Sequence, residues 1–329
     1  MKVSFIGLGV MGFPMAGHLQ SNGFDVCVYN RTSSKAESWQ SQYGGRIATT
    51  PCAAAEGAEL VFLCVGNDDD VRQVVYGESG ILADTSAGTL VVDHTTASAE
   101  LARELAEACA AQQAGFLDAP VSGGQAGAEN GQLTIMVGGE EGDFARAQPV
   151  MDAYARHSQL IGGHGSGQLA KMMNQICIAG IVQGLAEALH FGEQAGLDCG
   201  TVIDVISKGA AQSWQMENRA ATMIKGEYEF GFAVDWMRKD LAIALDEARK
   251  NGSTLALTAL VDQYYADVQK SGGGRWDTSS LLTRLHQGYG GVTWLSALAL
   301  FVAFSSSLIC GYFFCNLAKR CWLVSDSSL

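Results

Sequence analysis

Short apolar segments alternate with polar, glycine-rich turns over the first half of the chain. Residues 2–6 and 24–29 are apolar runs of strand length, and apolar residues recur between them at helical spacing. Four further apolar runs, of the kind buried in a parallel sheet, lie at 60–65, 89–93, 115–118 and 133–137. Residues 99–112, rich in Ala, Leu and Glu, predict a helix. The alternation predicts an α/β domain over residues 1–163 with a doubly wound parallel sheet and a ligand at its carboxyl edge.

From residue 164 the pattern changes to long helical stretches rich in Ala and Leu, without a strand pattern. They lie at 169–195, 201–207, 240–251 and 255–270. We therefore predict a second, all-helical domain over residues 164–290. The glycine-rich segment 161–165 is predicted to be a hinge beside a cleft between the two domains.

The last residues, 291–329, differ again. Residues 294–318 carry no charge and are followed by Lys319 and Arg320, which meets the length criterion for a membrane span. Three interpretations stay open: a membrane anchor, a helix in an oligomer interface, or translation past a natural stop. The composition, rich in Ser, Cys and Phe, favours the last, so this tail is predicted to lie outside the catalytic fold.

The first strand pattern runs directly into a glycine-rich turn and then into a helix pattern. The turn has the spacing of a dinucleotide-binding, or Rossmann, fingerprint and consists of Gly7, Leu8, Gly9, Val10, Met11 and Gly12. Gly7 permits the tight turn, Gly9 allows close approach of a pyrophosphate, and Gly12 lets the helix pack near the strand. The helix N-terminus then faces the phosphates.

The end of the second strand indicates which dinucleotide binds. NAD sites usually place an acidic residue about 20 residues after the glycines, to bind the ribose 2′-hydroxyl, but here Asn30, Arg31 and Thr32 follow the strand. Arg31 can pair with a 2′-phosphate, and Asn30 and Thr32 can donate hydrogen bonds to it. The sequence favours NADP, with NAD possible; a solvated loop arginine is the alternative for Arg31.

Charge and cysteine usage exclude other classes. The formal net charge of −13, without a basic run, argues against nucleic acid as a partner. Nine scattered cysteines form neither a CxxC pair nor a His/Cys cluster at metal-ligand spacing, which predicts reduced thiols and no metal site. Because the glycine turn begins at residue 7, we expect no secretory leader and a cytoplasmic location.

Two polar turns follow predicted strands. In the first, Thr95 and Thr96 are placed at the sheet edge beside a nicotinamide, although a helix cap is the alternative use of these hydroxyls; His94 is expected to be solvated. In the second, Ser122, Gly123 and Gly124 can present a hydroxyl and backbone N–H groups to a carboxylate, with a flexible surface turn as the alternative.

A candidate acid/base lies on the next helix. Lys171 and Asn174 are three residues apart and share a helix face, and their neighbours are apolar. Desolvation there would lower the pKa of the ammonium toward neutrality, so that it can move protons at physiological pH. A lysine that snorkels to solvent is the alternative.

A fourth candidate pair, Lys239 and Asp240, is predicted to start a helix. Lys239 can reach a cofactor, and Asp240 a substrate or Asn174. The equally plausible alternative is a solvated helix start with Asp240 near the positive end of the dipole.

Together these residues resemble the β-hydroxyacid dehydrogenase family. The resemblance spans about residues 1–288 and rests on four ordered motifs: residues 5–16, residues 117–124, the pattern Gly165-x-Gly167-x-x-x-Lys171-x-x-Asn174, and residues 239–241. It implies an N-terminal Rossmann domain followed by a 6-phosphogluconate-dehydrogenase-like helical domain that supplies the contacts of a homodimer or homotetramer. Two departures are Val65-Gly66, where the family often has Leu-Pro, and Gln175, where it often has Asn.

The resemblance also implies roles. Lys171 would be the catalytic acid/base, and Asn174 would orient the substrate. Substrate contacts would come from Ser122, Gly123, Gly124, Thr96 and Asp240; Thr96 and Lys239 would also contact the cofactor, with Val65 and Gly66 beside its adenosine half.

These observations predict an NADP-preferring oxidoreductase that interconverts a small β-hydroxyacid and its semialdehyde. Its substrate would be a small carboxylated aldehyde or hydroxyacid, and a membrane would be a partner only if the 294–318 segment is an anchor. The alternatives are an imine reductase and a non-catalytic NADP-binding module of the same fold. Lys171 disfavours both, because such relatives usually lack the lysine.

Overall fold

The structure, a computed structural model, describes residues 1–83 and 85–287. Residues 1–282 form one compact unit, and a second begins at Thr283. The segment 291–329, with its apolar stretch 294–318, lies outside the described residues. In the first unit a mixed sheet with flanking helices precedes a helical part.

Nine strands make the sheet of the described residues. They are β1 (Lys2–Ile6), β2 (Asp25–Tyr29), β3 (Arg46–Ile47), β4 (Leu60–Leu63), β5 (Leu90–Asp93), β6 (Gly115–Asp118), β7 (Val121–Ser122), β8 (Leu133–Gly139) and β9 (Ala155–Gly162). Their order is β3-β2-β1-β4-β5-β6-β8-β7, with β9 also paired to β8. The strand order reverses between the parallel neighbours β1 and β4, and this puts a crevice at their carboxyl ends, where open α/β sheets bind ligands.

The sheet is not parallel throughout. The first six strands are parallel, but β8 runs antiparallel to both β6 and β7. Between β7 and β8 lies only the short helix α6 (Gly124–Glu129), which is too little chain for the crossover that a parallel neighbour requires. The chain therefore reverses at this point.

Helices cover both faces of the sheet. They are α1 (Gly12–Ser21), α2 (Ser33–Tyr43), α3 (Pro51–Ala55), α4 (Asp68–Tyr76), α5 (Ala99–Ala111), α6 and α7 (Glu141–Met151). Side chains alternate between two cores: Phe5 and Phe62 belong to one, and their neighbours Ile6 and Leu63 to the other. Burial on both faces explains why the central strands are wholly apolar.

The helical part is built around one long helix. Its helices are α8 (Ser166–Gln194), α9 (Cys199–Ile206), α10 (Trp214–Lys225), α11 (Val234–Asn251) and α12 (Ala256–Lys270); α13 (Leu281–Gln287) follows across the unit boundary. Helices α10, α11 and α12 all pack against α8. Among the described residues α8 alone has the length and hydropathy of a membrane span, and it is also the central helix of this part.

Two local features differ from the sequence predictions. Ile161 and Gly162, two of the five residues of the predicted 161–165 hinge, belong to β9, and Gly162 pairs with Gly138 of β8 because a glycine backbone still joins a ladder. Helix α11 begins at Val234, so Lys239 and Asp240 lie in its second turn and not at its start. The run of charged residues 238–240 interrupts the buried face formed by Val234, Met237 and Leu241, so the sequence does not show where the helix begins.

Candidate active site

The glycine turn has the shape that a dinucleotide requires. Gly7 has a φ of +96°, and a Cβ there would lie 2.3 Å from the carbonyl oxygen of Cys64. A Cβ on Gly12 would lie 1.9 Å from the carbonyl oxygen of Gly7, so α1 packs directly on the strand end. No heavy atom comes within 4 Å of a Cβ placed on Gly9. The turn is thus closed beneath Gly7 and Gly12 and open above Gly9, which fits a pyrophosphate at the helix N-terminus.

The side chain of Asn30 holds this turn in place. Leu8 donates its backbone N–H to Asn30 Oδ1 at 2.8 Å, and Asn30 Nδ2 donates to the carbonyl oxygen of Thr32 at 3.0 Å. The Leu8 side chain is buried, whereas Val10 is exposed. Asn30 therefore shapes the glycine turn, a role that the sequence did not indicate.

Arg31 lies beyond Asn30 at the end of β2. Its side chain is 76% exposed and forms an ion pair with Asp70 of α4, with Nη1 and Oδ1 3.1 Å apart. The Thr32 hydroxyl makes no capping hydrogen bond to α2. Asp70 also approaches Gly66: its Oδ2 would lie 2.4 Å from a Cβ at that position. Arg31 and Gly66, both predicted to lie beside the adenosine half of the cofactor, are therefore both close to the carboxylate of Asp70.

The turn after β5 contacts the segment that follows the neighbouring strand β4. Thr95 Oγ1 accepts a hydrogen bond from the backbone N–H of Val65 at 3.0 Å, and Asp93 Oδ1 accepts one from Thr95 N at 2.8 Å. Burial raises the pKa of Asp93 to about 7, against the lowering effect of its hydrogen bonds to Thr95. Thr96 remains partly exposed at the edge. Ser98, one residue beyond Ala97, caps α5 by accepting a hydrogen bond from the N–H of Leu101.

His94 is buried, and the expectation that it is solvated is wrong. Its Nδ1 lies 2.6 Å from the carbonyl oxygen of Ala119, and its Nε2 lies 2.9 Å from the Tyr154 hydroxyl. Because a carbonyl only accepts, Nδ1 carries the proton and Nε2 accepts from Tyr154. Burial lowers the pKa of His94 to about 4, so the ring is neutral and structural at physiological pH.

The start of α8 is fastened to the sheet. Buried Asp118, at the end of β6, accepts hydrogen bonds from the N–H groups of Gly165 at 2.7 Å and Gln168 at 2.9 Å. The Gln168 side chain accepts from Ala97 N at 3.0 Å and donates to the carbonyl oxygen of Thr95 at 2.7 Å. These contacts fix the first turn of the helix, and the next turn carries Lys171.

Lys171 is only 7% exposed. Burial lowers the pKa of its ammonium to about 8; the Asp240 carboxylate partly offsets this effect, and the charge of Lys239 adds to it. Its Nζ makes no hydrogen bond to another of the residues that the structure describes. The predicted near-neutral lysine is therefore present in this geometry, and it does not snorkel into solvent.

A chain of polar contacts links the turn after β7 to α8 and α11. Ser122 Oγ donates to Asn174 Oδ1 at 3.5 Å, a long contact, and Asn174 Nδ2 donates to Gln175 Oε1 at 2.8 Å. Gln175 Nε2 in turn donates to Asp240 Oδ2 at 2.6 Å. The predicted residues Ser122, Asn174 and Asp240 are thus brought together, and buried Gln175, which sequence reasoning did not place in the site, connects them.

Lys239 connects the helical part back to the sheet edge. Its Nζ donates to the carbonyl oxygen of Thr96 and lies 3.0 Å from Asp240 Oδ1. The second contact is an ion pair and not a hydrogen bond, and no other residue that the structure describes donates a hydrogen bond to Asp240 Oδ1. The contact places Lys239 at the cofactor edge predicted for Thr96.

The turn after β7 contains two glycines in the left-handed region. Gly123 and Gly124 have φ values of +133° and +60°, and no heavy atom comes within 4 Å of a Cβ placed on Gly124. This open, Cβ-free turn directly follows Ser122, whose hydroxyl contacts Asn174. The backbone of Gly124 can therefore be approached closely by a small anion.

Comparisons with known proteins agree with this arrangement. Residues 2–163 match the family model of the NAD binding domain of 6-phosphogluconate dehydrogenase, and residues 165–285 match that of the NAD-binding region of NADP-dependent 3-hydroxyisobutyrate dehydrogenase. An uncharacterized oxidoreductase of Shewanella frigidimarina is 65% identical over 286 residues, which are 87% of this chain and 98% of that protein. The 2-hydroxy-3-oxopropionate reductase of Escherichia coli is 33% identical over 285 residues, 87% of this chain and 97% of the reductase.

Solved structures show the same fold. The 3-hydroxyisobutyrate dehydrogenase of Mycobacterium tuberculosis, solved with L-serine, has a TM-score of 0.78 and 30% identity, covering 86% of this chain and 98% of that one. An imine reductase of Pseudomonas sp. shares the fold at a TM-score of 0.54, but at 19% identity.

The fold and site define an NAD(P)-dependent oxidoreductase. The chain belongs to the β-hydroxyacid dehydrogenase family, the group that includes the 3-hydroxyisobutyrate dehydrogenases and 2-hydroxy-3-oxopropionate reductases.

Proposed function

We propose that the protein is an NADP-preferring dehydrogenase that interconverts a small β-hydroxyacid and its semialdehyde, with Lys171 as the acid/base. The observation that carries the proposal is a buried amine with a pKa of about 8, three residues before Asn174 on the same helix, where the Asn174 amide contacts the Ser122 hydroxyl. A group with that pKa exchanges a proton readily near neutral pH.

Lys171, Asn174 and the turn that begins at Ser122 each have a separate role in the proposed reaction. When bound, the reduced nicotinamide supplies a hydride to the aldehyde carbon. Lys171 Nζ donates its proton to the carbonyl oxygen, which leaves a hydroxyl group and a neutral amine; in the reverse direction the neutral amine takes the hydroxyl proton. Asn174 orients the reacting group, and Ser122 with Gly123 and Gly124 holds the substrate carboxylate.

The preference for NADP rests on the end of β2. A cation, Arg31, follows the strand where NAD sites usually have an acid, and its guanidinium is largely exposed. Thr32 adds a hydroxyl without a capping partner. Thr96 and Lys239 line the opposite end of the cofactor site, where Lys239 reaches the Thr96 carbonyl oxygen.

The helical part would also supply the contacts of a homodimer or homotetramer. Large apolar side chains on its surface are highly exposed, among them Met173, Phe191 and Val205. Such exposure is typical of surfaces that are covered by a partner. A cytoplasmic location is supported by six free cysteines in the described residues: Cys27, Cys52, Cys64, Cys109, Cys177 and Cys199.

A substrate panel tests the proposal. Short semialdehydes that carry a carboxylate, the same aldehydes without it, and a cyclic imine are each offered with NADPH and with NADH. We expect oxidation of NADPH by the carboxylated aldehydes and little by their uncharged analogues. Turnover of the imine alone would identify an imine reductase, and cofactor binding without turnover of any compound would identify a non-catalytic module.

A further inference from the structure

The carboxylate of Asp70, which pairs with Arg31, has no role in the proposed reaction. Helix α4 begins with three acidic residues, and each has a different neighbour: Asp68 accepts a hydrogen bond from Ser98, Asp69 lies 4.0 Å from Arg72, and Asp70 pairs with Arg31. Of these three carboxylates, only that of Asp70 contacts Arg31, the residue predicted to bind the 2′-phosphate. We propose that Asp70 is a cofactor-specificity residue that weakens the preference for NADP over NAD; this inference rests on the proposed NADP site.

Gly66 allows this placement. A Cβ at residue 66 would lie 2.4 Å from Asp70 Oδ2, closer than real Cβ contacts. The backbone of Asp70 is also fixed, because its N–H donates to Asn67 Oδ1 at 2.9 Å in the cap of α4. The departure from the Leu-Pro pair that is frequent in the family thus opens room for a carboxylate beside the adenosine half of the site.

The charges determine the direction of the effect. Asp70 is 29% exposed and holds Arg31 through a single Nη1–Oδ1 contact, which leaves the other N–H groups of the guanidinium for a ligand. A 2′-phosphate that binds Arg31 must therefore share it with Asp70 and comes close to a negative charge. The 2′-hydroxyl of NAD carries no charge and experiences no such repulsion, so Asp70 disfavours NADP selectively.

The test is the variant Asp70→Asn, which keeps the size of the side chain and an acceptor for Arg31 but removes the charge. NADPH and NADH affinities are measured by fluorescence titration of the full chain at low and high salt. We expect the Kd for NADPH to fall about fivefold at low salt, less at high salt, and the Kd for NADH to stay within about twofold. The matched control is Asp69→Asn, which removes the same charge from a side chain that is 97% exposed and is expected to change neither Kd.

Two outcomes would overturn the inference. An unchanged NADPH affinity in Asp70→Asn would show that the carboxylate does not oppose the phosphate, and a weakened one would show that Asp70 holds Arg31 for binding. The variant Arg31→Ala tests the proposed NADP site independently of Asp70. That variant should lose NADPH affinity far more than NADH affinity, and equal loss of both would refute NADP preference whatever Asp70→Asn does.

Discussion

At the scale of single residues, the central feature is a lysine whose pKa is lowered by burial. Desolvation disfavours the charged ammonium of Lys171, and the nearby Asp240 carboxylate limits how far its pKa falls. The resulting value of about 8 suits a group that must both give and take a proton near neutral pH.

The pKa predicts opposite pH profiles for the two directions of the reaction. Reduction of the aldehyde requires protonated Lys171, so its rate should be constant at low pH and fall as the pH rises through about 8. Oxidation of the hydroxyacid requires the neutral amine, so its rate should rise with pH and level off above about 8. Initial rates in both directions on wild type test this, and two profiles that bend the same way would contradict it.

Gln175 is predicted to position the substrate-orienting amide. In Gln175→Leu, Asn174 loses its acceptor and buried Asp240 loses a donor, so we expect kcat/KM for the carboxylated substrate to fall about tenfold or more. The NADPH Kd should stay near the wild-type value. Gln175→Asn keeps the amide, and its activity should exceed that of Gln175→Leu. Equal activity of the two variants would show that the hydrogen bonds do not matter.

The sequence indicates some of these residues better than others. Lys171 and Asn174 are predictable because helical spacing alone puts them on one face. Gln175 and Asp70 are not, because their partners Asp240 and Arg31 are 65 and 39 residues away and only the fold brings them together. His94 was expected to be solvated because a turn position says nothing of the Tyr154 ring that covers it.

At the scale of elements, α8 carries Lys171 and Asn174, and its first turn is held against the sheet. Gly167 makes this approach possible: a Cβ there would lie 2.5 Å from the carbonyl oxygens of both Asp118 and Met136. Because Lys171 lies in the next turn of the same helix, we expect a displacement of the first turn to displace Lys171 as well.

Two alanine variants of α8 separate close packing from helix propensity. Gly167→Ala must push the helix from the sheet, so we expect a loss of about 1–3 kcal/mol in the free energy of unfolding, together with a clear drop in kcat. Gly184→Ala meets no atom within 4 Å and should stabilise the helix by about 0.5–1 kcal/mol without loss of kcat. Thermal unfolding and turnover of the two proteins check this; equal effects would show that the close contact does not position Lys171.

The elements themselves are mostly predictable from pattern. The buried strands β1, β2, β4 and β5 appear as apolar runs, and α8 appears as a long helical stretch. The antiparallel course of β8 and the strand β9 do not, because β9 has mostly exposed or partly exposed residues and so lacks an apolar run. Strand direction depends on the length of a connection and not on hydrophobicity.

At the scale of the whole molecule, the proposed cofactor site and the proposed acid/base site lie in one compact unit. The glycine turn at the end of β1 is the proposed dinucleotide site, and α8 and α11 carry the amine of Lys171, the amide of Asn174 and the carboxylate of Asp240. Lys239 and Gln168 connect the parts, because each side chain on a helix donates to a carbonyl oxygen of the Thr95–Thr96 turn. In the proposed mechanism cofactor binding and proton transfer depend on different residues, so we expect mutations to separate the two.

The most direct test is the comparison of wild type with Lys171→Ala, measuring kcat for NADPH-dependent reduction of a carboxylated semialdehyde and the Kd for NADPH on the same samples. If Lys171 supplies the proton, kcat should fall by about a hundred- to ten-thousand-fold while the Kd for NADPH stays within about twofold. Turnover by Lys171→Ala at a rate close to that of wild type would contradict the account.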